Sequence, residues 1–258
     1  MSQSLEISPL MLVLAFSLVL ITMFISYKEK LDLIKEILIA SIRVVIQLFI
    51  VGYFLTQIFE INNTFATLAM VAVIIFNAAW NTSKRGAGIN RAFTISLIAI
   101  SLATMVTLSI LVFSGSLKFI PSQIIPITGM ICGSAMTAIG LTYRNLKQLF
   151  QDRRQTVLEM LALGASPKQA SSKIKQLAVK SGIQPTIDSI KTTGLVTLPG
   201  MMSGLMFAGV DPTKAIMYQI MISFMMIGTT SLVAATASSL SIGSFFNDRY
   251  QLISIKED

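Results

Sequence analysis

The chain has 258 residues, of which 53% are hydrophobic and 12% charged, with a net charge of +8 and a mean hydropathy of +0.74. That is about half the charged fraction of ordinary soluble domains, and several apolar runs approach the ~20 residues that cross a bilayer as a helix. The composition therefore excludes a soluble globular domain, and apolar runs that are continuous rather than alternating exclude a β-barrel.

The predicted class is all-α: a polytopic helical membrane protein of about seven transmembrane helices, forming a single transmembrane domain over residues 1–258. The opening MSQSLEIS has no Lys or Arg before the first apolar run and no convincing cleavage site, so that run is expected to be a retained span. The spans are predicted at Pro9–Ser26, Ile37–Phe59, Phe65–Trp80, Phe93–Phe113, Ile124–Phe150, Ile187–Ala208 and Ala215–Ile242.

The second span holds Arg43 and Gln47, four residues apart and on one helical face. A cation there is costly against lipid. It either lines a substrate path or gate, or snorkels to the nearby edge. The third span closes on Asn77, Trp80 and Asn81, where Trp80 reads as an ordinary interfacial residue. In the fifth, Pro121 and Pro126 precede the pair Gly129 and Gly133, a spacing that lets helix backbones approach closely.

A strongly basic stretch follows, about residues 151–184. Val157, Met160, Leu161 and Gly164 share one helical face beside the charged Arg153, Arg154 and Glu159. The chain then breaks at Gly164-Ala165-Ser166-Pro167. Ser166 is placed as an N-cap, Pro167 as the first helical residue, and Gln169 completes a capping box. A second amphipathic helix is expected from Pro167 to Lys180, with Ala170, Ile174, Leu177 and Ala178 on its apolar side and Gly182 as its stop. This knob packs on the bundle, on a partner, or on the membrane surface.

The sixth span carries Leu198-Pro199-Gly200 and a second glycine pair, Gly200 and Gly204. Proline bends a membrane helix, so Pro199 and the glycines are candidate moving parts, or a merely structural kink. The seventh carries Met217, Met221 and Met225 at helical spacing. Thioethers are soft ligands, which makes these three candidate substrate-path or gating residues, but methionine is also a flexible gap filler, and filler is the favoured reading.

Charge sets the expected orientation. Lys and Arg fall in alternate loops and the C-terminal tail, 17 against Lys118 and Lys214 alone on the other side. This balance is self-consistent with seven spans, an outside N-terminus and a cytoplasmic C-terminus. The positive charge is thereby assigned to the bilayer rather than to nucleic acid.

No GxxxxGK[ST], HExxH or CxxC occurs, there is no histidine, and Cys132 is the single cysteine, so no internal disulfide is available. No catalytic residues are assigned, and the metal-binding residues are unknown. The spans show no proton or cation relay, so uphill transport would draw its energy from another subunit.

The strings RQTVLEMLALGASPKQA, GLVTLPGMMSGLMFAGVDPTKAIMYQIMISFMM and IRVVIQLFIVGYFLTQIF resemble the FetB-type ABC transporter permease family. LEMLALGAS also resembles the cytoplasmic coupling loop of ABC importer permeases, with Leu158, Glu159 and Met160 in place of Glu-Ala-Ala. The resemblance implies a multi-pass subunit of the cell (inner or plasma) membrane, itself not an enzyme and without a cofactor. It implies ATP and Mg²⁺ on a separate cytoplasmic ABC ATPase, a second copy of the permease, and metal-ion export, iron in bacterial members and aluminium tolerance in plant ones. It also implies that Arg153, Arg154, Glu159, Leu163, Gly164, Ala165, Ser166 and Pro167 couple the chain to that ATPase. A self-contained secondary transporter or channel is the alternative; it predicts an internal repeat and polar residues at mid-membrane. A membrane-embedded enzyme lacks a catalytic set, and a scaffold would tolerate changes at Arg43 and Gln47.

Overall fold

A computed structural model describes residues 8–61, 63–86 and 88–253. Residues 1–7 of the opening segment and Lys256 of the basic tail lie outside them. Two compact units form, Met1–Asn62 and Asn63–Asp258.

The first unit is a helical hairpin. Helix α1 (Pro9–Lys28) starts with Ser8 as N-cap and Pro9 inside the first turn, and α2 (Ile34–Ile61) returns along it. The turn is tied by Ser26, whose hydroxyl accepts from Leu33 N at 3.3 Å and whose carbonyl accepts from Leu31 N at 3.0 Å. Lys30 and Asp32 take left-handed backbone there.

The second unit contains α3 (Thr64–Ser83), α4 (Ala92–Phe113), α5 (Pro121–Asp152), α6 (Arg154–Ala162), α7 (Pro167–Ala170), α8 (Ser172–Thr192), α9 (Gly200–Phe207) and α10 (Pro212–Ser241). Helix α5 is the axis, packed by α3, α4, α8 and α10. At its centre the core is built from alanines: Ala99, Ala103, Ala135, Ala138, Ala234 and Ala237 are all buried. Small side chains let helices approach closely where lipid supplies no hydrophobic drive. Several buried hydroxyls are satisfied locally or across helices, although Ser238 and Ser241 Oγ on α10 make no hydrogen bond among the described residues. Thr128 and Thr142 donate to the carbonyls of Ile124 and Ala138 at 2.7 and 2.8 Å. Thr107 and Thr229 join α4 to α10 at 3.1 Å, and Ser96 and Tyr143 join α4 to α5 at 3.0 Å. At the far end Phe150 stacks on Phe245 with centroids 4.2 Å apart.

The fold is helical, and six helices are long and apolar enough to cross a membrane among the described residues. They match six of the seven predicted spans within a few residues. The remaining one, Ile187–Ala208, is divided. Helix α8 ends at Thr192, residues 193–199 are non-helical, and α9 begins at Gly200.

Two local expectations are corrected. Gly182 does not stop a helix: α8 runs through it to Thr192, and Gly182 is buried. A Cβ there would run into Thr142 Oγ1 and stand 2.9 Å from the Ala138 carbonyl, so the glycine lets α8 close on α5. Conversely, Gly129, Gly133, Gly200 and Gly204 make no close approach, since a Cβ at any of them meets nothing within 4 Å. The close contacts fall on glycines outside the predicted pairs because packing depends on which helix faces the residue.

Candidate functional site

Three features stand out in the second unit: an elbow beyond α5, an interrupted span, and a polar stripe on α8.

The elbow starts at Arg153, the joint between α5 and α6, with Arg154 as the first residue of α6. Val157 anchors α6 by burial in the core beside Phe150. Glu159 points outward and accepts from Gln155 Nε2 at 3.0 Å. Helix α6 ends as predicted. Gly164 takes φ +90°, which side chains rarely adopt, and the Gly164 and Ala165 amides close back onto the Leu161 and Met160 carbonyls. The predicted capping box is present: Ser166 Oγ accepts from Gln169 N at 3.4 Å, and Ser166 N donates to Gln169 Oε1 at 2.9 Å. The predicted apolar stripe is buried against the bundle at Ala170, Ile174 and Ala178, rather than left for a membrane surface. At the tip, Leu163 stands 88% exposed. Beside it a groove of about 1210 Å³ runs between Leu158, Leu161 and Pro167 on the elbow and Ile242, Phe246 and Tyr250 beyond α10.

The break in the predicted Ile187–Ala208 span is held by its backbone and by Thr193 Oγ1, which donates to the Ser189 carbonyl at 2.9 Å. The Thr192 carbonyl accepts from the amides of Leu195, Val196 and Thr197, and Gly194, at φ +86°, donates to Thr197 O at 2.8 Å. Pro199 is extended and serves as N-cap of α9. It does not bend a continuous helix as expected: the helix is broken before it. Met201 of α9 packs with Ile127, Ile131, Ile222 and Met225.

Sequence reading missed the third feature. On α8, Gln184 Nε2 donates to both Asp188 carboxylate oxygens at 2.9 and 3.0 Å, and Lys191 Nζ stands 3.3 Å from Asp188 Oδ1. These residues and Thr192 lie at i, i+4, i+7 and i+8, a spacing visible in the sequence. The apolar run after Asp188 and the count of Lys191 as a loop charge concealed it. A buried amide was also missed: Gln219 Oε1 on α10 has no hydrogen-bond partner.

The other predicted path residues divide between the two units. Arg43 and Gln47 line a shallow groove of about 380 Å³ with Ile39, Ile42 and Ile46 in the first unit. Met217, Met221 and Met225 line an apolar groove with Val106, Thr107 and Ile110 of α4. No group of three or more His, Cys, Asp or Glu able to hold a metal occurs among the described residues.

Residues 9–246 match the family described as Uncharacterised protein family (UPF0014). The chain is 51% identical over 242 residues to the "Probable iron export permease protein FetB" of Escherichia coli, covering 94% of this chain and 93% of that protein. It is 35% identical to the UPF0014 membrane protein YjkA of Bacillus subtilis, covering 94% and 97%. It is also 32% identical to "Protein ALUMINUM SENSITIVE 3" of Arabidopsis thaliana, covering 92% and 87%. No solved structure matches. A match over nearly the whole chain, on six membrane-length helices, places this multi-pass membrane permease in the UPF0014 family.

Proposed function

We propose that the chain is the membrane-spanning subunit of an ABC transporter that exports a metal ion, powered by a separate cytoplasmic ATPase. The observation that carries this is the elbow: a capped, glycine-hinged turn, seated in the core through Val157, that projects a bare leucine beyond the end of α5. With the part-exposed Leu158 and Met160, Leu163 makes an apolar tip that a partner's pocket would cover, and its seat on Val157 would transmit force into α5. The export of iron is carried over from the name of the Escherichia coli relative.

In this reading α8 and α9 together make the seventh crossing, the N-terminus is outside and the C-terminus cytoplasmic. Two copies line a shared path, and the glycine faces at Gly129, Gly133, Gly200 and Gly204, which meet nothing within the chain, are open to the second copy. ATP and Mg²⁺ bind on the ATPase, and this chain carries no cofactor.

The test is co-reconstitution with the ATPase in proteoliposomes. ATP-dependent movement of Fe²⁺ is expected, and none from the chain alone. Gly164→Arg is expected to uncouple ATP hydrolysis from transport while the protein still reaches the membrane. Transport by the isolated chain would favour the self-contained transporter, and wild-type coupling in Gly164→Arg would remove the docking assignment.

A further inference from the structure

Helix α8 begins beside the end of α5: Ala170, Ile174 and Ala178 share a cluster with Phe150, Val157 and Phe245. It then climbs antiparallel to α5, so that Gly182 lies against Ala138 and Thr142 of α5 and Ala234 of α10. At 1.5 Å per residue, Asp188 stands about 9 Å, Lys191 about 14 Å and Thr192 about 15 Å beyond that contact. The neighbouring helices carry no charge over this height: α5 has none from Pro121 to Tyr143, and α10 none from Ala215 to Ser241. A hydrocarbon core about 30 Å thick, set on these uncharged stretches of α5 and α10, would have the Asp188–Lys191 pair and the break at 193–199 near its middle.

Both charged side chains are more than half exposed on the chain. Ionised groups at that depth are not stable against lipid and face a bundle interior or a water-filled cavity. A non-helical backbone is likewise tolerated at membrane depth only where it is buried in protein or lines such a cavity. The break coincides with the polar stripe. Thr192 ends α8 on the same face as Asp188, and the break follows directly: the amides of 193–197 turn onto the carbonyls of Ile190, Thr192 and Thr197, while the carbonyls of 193–196 accept no backbone hydrogen bond among the described residues. Higher along the same crossing, α10 packs on α9 and carries the buried, unpartnered carbonyl oxygen of Gln219.

We propose that the solute crosses along the polar face of α8, and that the Asp188 carboxylate is the group that receives the cation at the helix break. This rests on the permease reading for the identity of the solute, but not for the presence of water on that face. A carboxylate little more than a helical turn before the open backbone carbonyls of the break supplies oxygen donors, which suit a metal cation rather than an anion. In the empty state Lys191 and Gln184 occupy Asp188, so no isolated charge is left at mid-membrane. An arriving cation takes the carboxylate from Lys191, whose long side chain swings away from it. Lys191 thus weakens resting affinity and allows release.

The experiment uses the full chain in nanodiscs, with Cys132→Ala as background and single cysteines at Gln184→Cys and Thr192→Cys. Leu102→Cys and Ile110→Cys, on the exposed apolar face of α4, are controls. A charged, membrane-impermeant thiol reagent is expected to label the α8 positions at least tenfold faster than the controls. Fe²⁺, held reduced without oxygen, is expected to slow labelling at Thr192→Cys, and Asp188→Asn to abolish that slowing. Lys191→Met is expected to lower the Fe²⁺ concentration needed by several-fold. Labelling no faster than the controls overturns the path. Equal protection by Fe²⁺ in Asp188→Asn overturns the role of the carboxylate, and weaker protection in Lys191→Met overturns its displacement. Fast, Fe²⁺-protected labelling without ATP-driven transport in the co-reconstituted system would sink the permease reading and leave the hydrated face standing.

Discussion

Gly182 shows how a single residue sets the bundle. Its missing Cβ lets α8 approach the Thr142 hydroxyl and the Ala138 carbonyl, with Ala234 of α10 at 3.4 Å on the other side. The carbonyl belongs to the α5 backbone and cannot step aside. Gly182→Ala is therefore expected to destabilise by about 1–3 kcal/mol, the usual cost of overpacking, read as a lower thermal midpoint in detergent. Gly52→Ala, where the Cβ meets open space, is not expected to lower the midpoint. An equal fall in both would mean that helix flexibility, not contact, matters. The sequence showed every glycine, and pair spacing drew attention to the wrong ones, because spacing reports a helix face and says nothing about what stands opposite.

The elbow is the element most completely legible from sequence. Gly164, Ser166, Pro167 and Gln169 each act through their nearest neighbours, so their order along the chain specifies the turn. Its anchor was legible too, as the periodic apolar face at Val157, Ile174 and Ala178. Because Leu163 touches almost nothing in the chain, Leu163→Glu is expected to leave the thermal midpoint unchanged and to weaken capture of the ATPase at least tenfold, measured by co-purification. A fall in the midpoint with unchanged capture would make Leu163 a folding residue instead. Ser166→Ala removes the acceptor of the cap and is expected to cost about 1 kcal/mol, loosening the elbow and accelerating proteolysis at 163–167.

For the whole molecule, the charge asymmetry makes a topological prediction. In the Cys132→Ala background, Arg249→Cys is expected to react with an impermeant thiol reagent only from the cytoplasmic side, and Lys118→Cys only from the outside. Labelling from one side would require an even number of crossings between them and would remove the interrupted span as a crossing. Lys191, counted among the cytoplasmic charges, sits instead at the end of α8 beside Asp188; removing it from the tally leaves the asymmetry intact.

Taken alone, the amino-acid order determined the helical membrane class, six spans to within a few residues, and the capped elbow, because hydropathy over a bilayer's thickness and backbone capping are local properties. The tertiary structure decided that the Ile187–Ala208 run breaks at Thr192, that α5 is the axis, and that the face shared by Gln184, Asp188 and Lys191 runs beside the uncharged stretches of α5 and α10. Those outcomes depend on which surfaces meet at a given height in the bundle, and that is set by packing between residues far apart in the chain.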